Sequence, residues 1–181
     1  HTDPSSCIFA DVKDLAAAKC KCLAHNKQCQ VANVDITIGG WSCKDLSKLN
    51  KSFSMGLNGN VLKEAKGTSG ATFSGLLALL REHPCPVFIG ENVDEMNKLT
   101  SENRQYCLEA FAEHGYAVNT RTIQGTEHGA PTTRPRAWLV ALNCEMCGLS
   151  ADKARALIRK ILEYIDKLKV TSLPLEAYLL P

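Results

Sequence analysis

Val34-Asp-Ile-Thr-Ile-Gly-Gly-Trp-Ser-Cys43-Lys-Asp-Leu-Ser47 joins a short alternating segment to a glycine pair and then to a single cysteine. Ile36 and Ile38 alternate with polar neighbours, the pattern of a short half-buried strand. Gly39 and Gly40 let the backbone turn sharply or approach a ligand closely. Beyond that turn Cys43 opens a polar loop carrying Lys44, Asp45, Ser47, Lys48 and Lys51. Open α/β sheets bind ligands at the carboxyl ends of their strands, so a thiol at such a tip is placed for chemistry. A buried structural cysteine beside a turn is the bland alternative, and residue type alone favours it.

Working outward, 181 residues suffice for one domain with a proper core, and two full domains would be unusual. A content of 45% apolar and 22% charged residues is ordinary for a soluble globular chain. The formal charge of +2 is too small to announce a nucleic-acid binder by itself. No apolar run approaches the length of a membrane span, and no signal-peptide pattern opens the chain. Nine cysteines is a high, odd number, but a chain this long does not need a disulfide framework. Reduced thiols in an intracellular compartment are expected, nuclear in a eukaryote.

The remaining elements alternate between strand and helix. Cys7-Ile-Phe-Ala10 reads as a buried strand with Asp11 at its tip, followed by a short helix from Asp14 to Lys21. Cys20, Cys22, His25 and Cys29 cluster in a C-x-C-x2-H-x3-C pattern that is not a common zinc spacing. Free cysteines in a loop is the preferred reading, with no metal site expected. Cys144-Glu-Met-Cys147 lacks a thioredoxin-like context, so no redox role is expected. Lys63 to Ala71 reads as a mobile connection, and Phe73 to about His83 as a helix stopped by Pro84 and Pro86. Pro86-Val-Phe-Ile-Gly90 reads as a central strand that delivers Glu91-Asn92-Val93 at its end. A helix from Asn97 to His114, a strand from Tyr116 to Ile123 and a loop from Gly125 to Arg136 follow. A strand from Ala137 to Leu142 and a helix capped by Ser150 or Asp152 and running to about Leu168 complete the pattern.

Four of these pieces, in order, resemble the DNA (cytosine-5) methyltransferase family. Gly39-Gly-Trp-Ser-Cys43-Lys-Asp-Leu-Ser47 resembles the family's nucleophile segment, Gly-Phe-Pro-Cys-Gln-x-Phe-Ser. Gly70-Ala-Thr-Phe73 resembles the segment that follows it, and Pro86-Val-Phe-Ile-Gly-Glu91-Asn92-Val93 matches the Glu-Asn-Val segment closely. His128-Gly-Ala-Pro-Thr-Thr-Arg134-Pro-Arg136 with its following strand resembles the Gly-x-Pro-Gln-x-Arg-x-Arg segment. Ala10-Asp11-Val12 resembles, more weakly, the Gly-Asp-Ile segment that meets the cofactor adenine. The glycine-rich Phe-x-Gly-x-Gly opening and the closing Asn-rich segment have no counterpart, so the chain reads as an interior fragment of a longer enzyme.

The resemblance implies an α/β fold, a Rossmann-like class I methyltransferase sheet flanked by helices and incomplete at its N-terminal cofactor-binding end. Residues 1–145 would form a partial catalytic core, and 146–181 a helix and the start of a divergent target-recognition region. The implied activity is transfer of a methyl group from S-adenosylmethionine to C5 of cytosine in DNA. Cys43 would add to C6 as a thiolate, because C5 alone is too weak a nucleophile. Glu91 would protonate or hydrogen-bond N3, Arg136 would hold O2, and Arg134 would brace Cys43 and Glu91. Asp11, Val12, Ser42 and Thr72 are the implied cofactor contacts. Lys44, Ser47, Asn92 and Arg136 are the implied nucleic-acid contacts, with the target base flipped out of the duplex.

This chain departs from the family pattern at several positions. Ser42 stands for the usual Pro, Lys44 for a Gln, Thr132 for the Gln before the arginines, and Thr72 for a common Leu. Two other readings use the same residues. One is a catalytically silent paralogue or fragment that binds nucleic acid or a partner methyltransferase; the other is a tRNA cytosine-5 methyltransferase.

Overall fold

A computed structural model describes residues 6–47, 50, 60–98 and 101–178. After a 3-10 turn at Val12–Ala16, strands β1 (Lys19–Cys22) and β2 (Lys27–Gln30) pair as an antiparallel hairpin. Strand β3 (Ile36–Gly40), helix α1 (Gly67–Glu82), strand β4 (Val87–Val93) and helix α2 (Glu102–Glu113) follow. Strands β5 (Tyr116–Gln124) and β6 (Pro135–Asn143) and helix α3 (Ala151–Lys167) complete the main elements. The larger sheet has four strands in the order β3-β4-β6-β5. β3 and β4 are parallel, joined through α1, whereas β6 is antiparallel to both of its neighbours.

Alternation along the strands builds three layers. Phe88 of β4 and Ala137, Leu139 and Ala141 of β6 join Phe73, Leu76 and Leu80 of α1 and Phe111 of α2 in the main core. The opposite face turns Val140 and Leu142 toward Ala154, Ile158 and Leu162 of α3. This is the α/β sheet with helices on both sides that the sequence pattern predicts. No helix among the described residues is long and apolar enough to cross a membrane.

Several local expectations change. Ile36 and Ile38 pair with Val87 and Ile89 on the α3 side of the sheet, but α3 covers β5 and β6 and leaves β3 at the edge. The two isoleucines are therefore 53% and 73% exposed rather than buried. Cys7 to Ala10 is not a buried strand: Phe9 alone bridges to Cys22, and Ile8 is exposed. The helix expected from Asp14 to Lys21 is cut to one 3-10 turn, because Lys19 to Cys22 pairs with Lys27 to Gln30 instead. Tertiary pairing overrides the alanines' helix propensity there.

The connection expected from Lys63 to Ala71 is partly helix, since α1 begins at Gly67. Gly67 has φ +62, and a Cβ on it would lie 2.5 Å from Asp45 Oδ2, so only glycine fits that approach. The helix expected from Asn97 to His114 divides into a 3-10 turn at Asp94–Asn97 and α2, which Ser101 caps by accepting from Arg104 N. Arg136 lies within β6, not in a loop before it.

Candidate active site

Parallel pairing places the carboxyl ends of β3 and β4 side by side. Gly40 is level with Glu91, and a Cβ at Gly40 would sit 2.6 Å from the Glu91 carbonyl oxygen. Glycine at that position lets the backbone leading to Cys43 pass directly against Glu91. Cys43 and Glu91 thus emerge at the same edge of the sheet.

The cysteine segment is held on both sides. The Trp41 ring packs on Phe73 with centroids 5.0 Å apart, and Asn92 Nδ2 donates to Trp41 O at 3.0 Å. Ser42 N donates to Thr72 Oγ1 at 2.9 Å. On the far side, Asp45 N donates to Ser69 Oγ, and Asp45 Oδ2 accepts from Ser69 N, both at 2.9 Å. That carboxylate meets the N-terminal turn of α1, where unpaired N–H groups favour negative charge. Leu46 N and Ser47 N both donate to Cys43 O at 3.0 Å, folding the backbone into a tight turn that starts at the cysteine. Cys43 itself is half-buried.

Glu91 is not isolated at its strand tip. Arg136 Nε lies 2.8 Å from Glu91 Oε1, and Arg136 Nη1 donates to Pro135 O at 2.8 Å. The antiparallel register makes this contact possible, since Glu91 faces Trp138 and Val93 faces Arg136 across β4 and β6. The ion pair to Glu91 thus comes from Arg136, the arginine expected to hold the base. Arg134, expected to brace Glu91, is exposed just before β6. Both arginines line an open cleft of about 620 Å³ with Ile89, Ile123 and Trp138.

Asn92 points the other way, into the core, with 3% of its surface exposed. Its Nδ2 holds Trp41 O and its Oδ1 accepts from Val93 N, so the amide is committed to the protein rather than available to nucleic acid. Lys44 is exposed, with its N–H donated to Ser42 Oγ at 3.4 Å. Lys48 and Lys51 lie outside the described residues. Trp41 and Asp45, the anchors of the cysteine turn, were not singled out from the sequence. A tryptophan between Gly-Gly and Ser-Cys, and an acid two residues past the cysteine, were the available signals.

Of the expected cofactor residues, Val12 packs on α1, Thr72 belongs to that helix and Ser42 reaches it through its backbone N–H. Asp11 accepts from Lys13 N at 3.0 Å and starts the turn that carries Val12. Val12 Cγ1 and Lys13 Cγ lie 3.1 and 2.9 Å from where a Gly75 Cβ would stand, and Thr72 is one turn earlier on the same helix. Glycine at position 75 thus lets the Val12–Lys13 turn pack directly on α1, while the Thr72 hydroxyl is taken up by Ser42 N and the Thr68 carbonyl.

The sheet thus brings the backbone leading to Cys43 against Glu91 at the carboxyl ends of two parallel strands, and pairs Glu91 with Arg136. The model of the C-5 cytosine-specific DNA methylase family matches residues 8–169, and the chain belongs to that family. It is 31% identical over 137 residues to the DNA (cytosine-5-)-methyltransferase DMT5 of Cryptococcus neoformans. That match covers 74% of this chain but 5% of the relative, so the chain spans a small part of its length. Among solved structures, a DNMT2 triple mutant from Spodoptera frugiperda is 19% identical with a TM-score of 0.43, over 61% of this chain and 30% of that one. The Entamoeba histolytica methyltransferase EhMeth is 15% identical with a TM-score of 0.41, over 60% and 32%. The family assignment does not rest on these two structures. Members of the family are in general S-adenosylmethionine-dependent and act on DNA.

Proposed function

We propose that this chain carries the cytosine-binding half of a DNA (cytosine-5-)-methyltransferase site. The observation that supports it most is the Glu91–Arg136 ion pair beside the backbone that leads to Cys43. Cys43, as thiolate, adds to C6 of a cytosine turned out of its duplex, forming a C–S bond and leaving C5 electron-rich. Glu91, as the carboxylic acid, gives its proton or a hydrogen bond to N3, so that the negative charge thiolate addition puts on the ring is neutralised. It takes the proton back when the thiolate leaves. Arg136 holds Glu91 in place and reaches O2 from the same guanidinium. The C5 proton then leaves to base and the C–S bond breaks, which restores the thiolate.

S-adenosylmethionine, when bound, supplies the electrophilic methyl group. Asp11, Val12, Ser42 and Thr72 are the residues of this chain that would hold its adenosine portion. Lys44 and the backbone near Ser47 face the DNA backbone, and Asn92 serves as a positioning residue for the cysteine turn. No membrane partner is part of this reading, and an intracellular, nuclear location in a eukaryote belongs to it.

The test is covalent trapping on a 5-fluorocytosine DNA duplex with S-adenosylmethionine, performed on the full-length protein and on this chain. An adduct with full-length protein that disappears in Cys43→Ala supports the reading. Reversible DNA binding with no adduct, unchanged by Cys43→Ala, makes the protein a binder instead. An adduct formed on 5-fluorocytosine tRNA and not on DNA moves the substrate to RNA.

A further inference from the structure

We propose that Cys7, Cys22, His25 and Cys29 form a structural zinc site that pins the segment carrying Asp11 and Val12. Their ligand atoms all lie within 4.8 Å of one another. The three sulfurs stand 3.6, 3.4 and 3.5 Å from the same nitrogen, His25 Nδ1. A tetrahedral ion with Zn–S near 2.3 Å and Zn–N near 2.0–2.1 Å requires S···N separations of about 3.5 Å, so all three distances already match. The sulfurs themselves need to draw together by up to about 1 Å to reach the roughly 3.8 Å edge of that tetrahedron.

Hydrogen bonding alone does not account for this geometry. One imidazole nitrogen offers one lone pair or one proton, so it can satisfy one of three thiols. A metal ion satisfies all four groups at once. Cys3His is an ordinary donor set for zinc, and soft thiolates disfavour magnesium or calcium. The Cys22 sulfur also receives the Ile8 N–H at 3.3 Å, which fixes it at the mouth of the hairpin turn.

Local folding explains how ligands far apart in sequence converge. The β1–β2 turn sets His25 beside Cys22, with Asn26 in the left-handed region at φ 49. Cys29 returns along β2. Cys7 arrives because Phe9 bridges to Cys22 and Leu23 N donates to Ile8 O at 2.7 Å. Cys20, directly opposite Cys29 in the hairpin, is not a ligand: its thiol donates to Asp14 O at 2.7 Å. The ligand set is thus the sequence cluster with Cys7 in place of Cys20. Within residues 7–30 the hairpin itself has little apolar support. β2 contributes no buried side chain and the 3-10 turn none, so the hairpin's own core is two cysteines, Cys20 and Cys22. A two-stranded hairpin without a core is marginal in water, and a bound ion supplies folding energy directly.

The experiment measures metal in the intact chain purified without chelator, together with native alkylation mapped by mass spectrometry. We expect one zinc per chain, with Cys7, Cys22 and Cys29 protected together and exposed together once a chelator removes the ion. Cobalt substitution should give the intense visible absorption of a tetrahedral thiolate site. Cys20→Ser should keep the metal, while Cys7→Ser should weaken it by at least about 10–100-fold, the range already reached by loss of an outer-shell partner. Substoichiometric zinc after reconstitution, a disulfide among these cysteines, or protection indifferent to chelator overturns the proposal. Alkylation of the unmutated chain separates these outcomes even if Cys7→Ser fails to fold. None of these readouts depends on methyl transfer, so failure here leaves the catalytic reading standing.

Discussion

Asn92 and Lys44 separate positioning from substrate contact at the scale of single side chains. Asn92 is buried and ties Trp41 O to β4, so removing its amide releases the turn that presents Cys43. Asn92→Ala should lower the rate of adduct formation on the 5-fluorocytosine duplex by about 100-fold, as expected for a reactive group misplaced by about 1 Å. The slope of log affinity against log salt should not change, because no phosphate contact is lost. Lys44→Ala should do the reverse, reducing that slope by about 1 with little effect on the trapping rate once DNA saturates. A changed slope in Asn92→Ala would return that residue to the DNA surface. Cys43, Glu91 and Arg136 were legible as residues because each stands in a distinctive short pattern. The Glu91–Arg136 pairing was not, since it depends on the register of β4 against β6.

At the scale of elements, the start of β4 is locked to the start of β5. The Tyr116 hydroxyl accepts from Cys85 N and donates to Cys85 O, both at 3.0 Å, in the turn between α1 and β4. Burial and the neighbouring Cys85 thiol push the phenol up to about 12, so it stays a neutral donor throughout the physiological range. Tyr116→Phe leaves a buried N–H and carbonyl unpaired and should cost about 1–3 kcal/mol. Urea unfolding should show this as a lower midpoint at an unchanged slope. No loss in midpoint would mean that water replaces the hydroxyl. β4, β5, β6 and α3 were readable in sequence because each is flanked by proline, glycine or a cap and has a strong apolar pattern. β1 and β2 were not, since the buried positions of β1 are cysteines in a lysine-rich run and β2 buries no side chain at all.

Across the whole molecule, α3 and the chain beyond it are tied back to the sheet by charge as well as by apolar contact. Arg121 of β5 pairs with Asp166 and donates to Leu162 O at 3.1 Å. A cap and an apolar stripe predict α3 as a helix, but the pairing of Asp166 with Arg121 depends on how α3 lies across β5. After α3, Val170 N donates to Glu127 O at 2.8 Å, and Lys169 Nζ lies 2.8 Å from Glu127 Oε2. The Lys169 ammonium holds the Glu127 carboxyl below its usual range. A depressed carboxyl favours the docked state above its unfolded value and loses that preference as pH falls through the folded one. Docking of residues 169–170 should therefore be constant from about pH 7 down to about pH 5 and weaken only below the ordinary glutamate value near 4.3. The Val170 amide resonance, followed by NMR through an acid titration, should stay fixed above that range and move within it. In Glu127→Gln the same resonance should not titrate there, while the midpoint of global unfolding changes little because the pair is solvent-exposed. Movement between about pH 5 and 7 would show that the Glu127–Lys169 pair does not govern this contact.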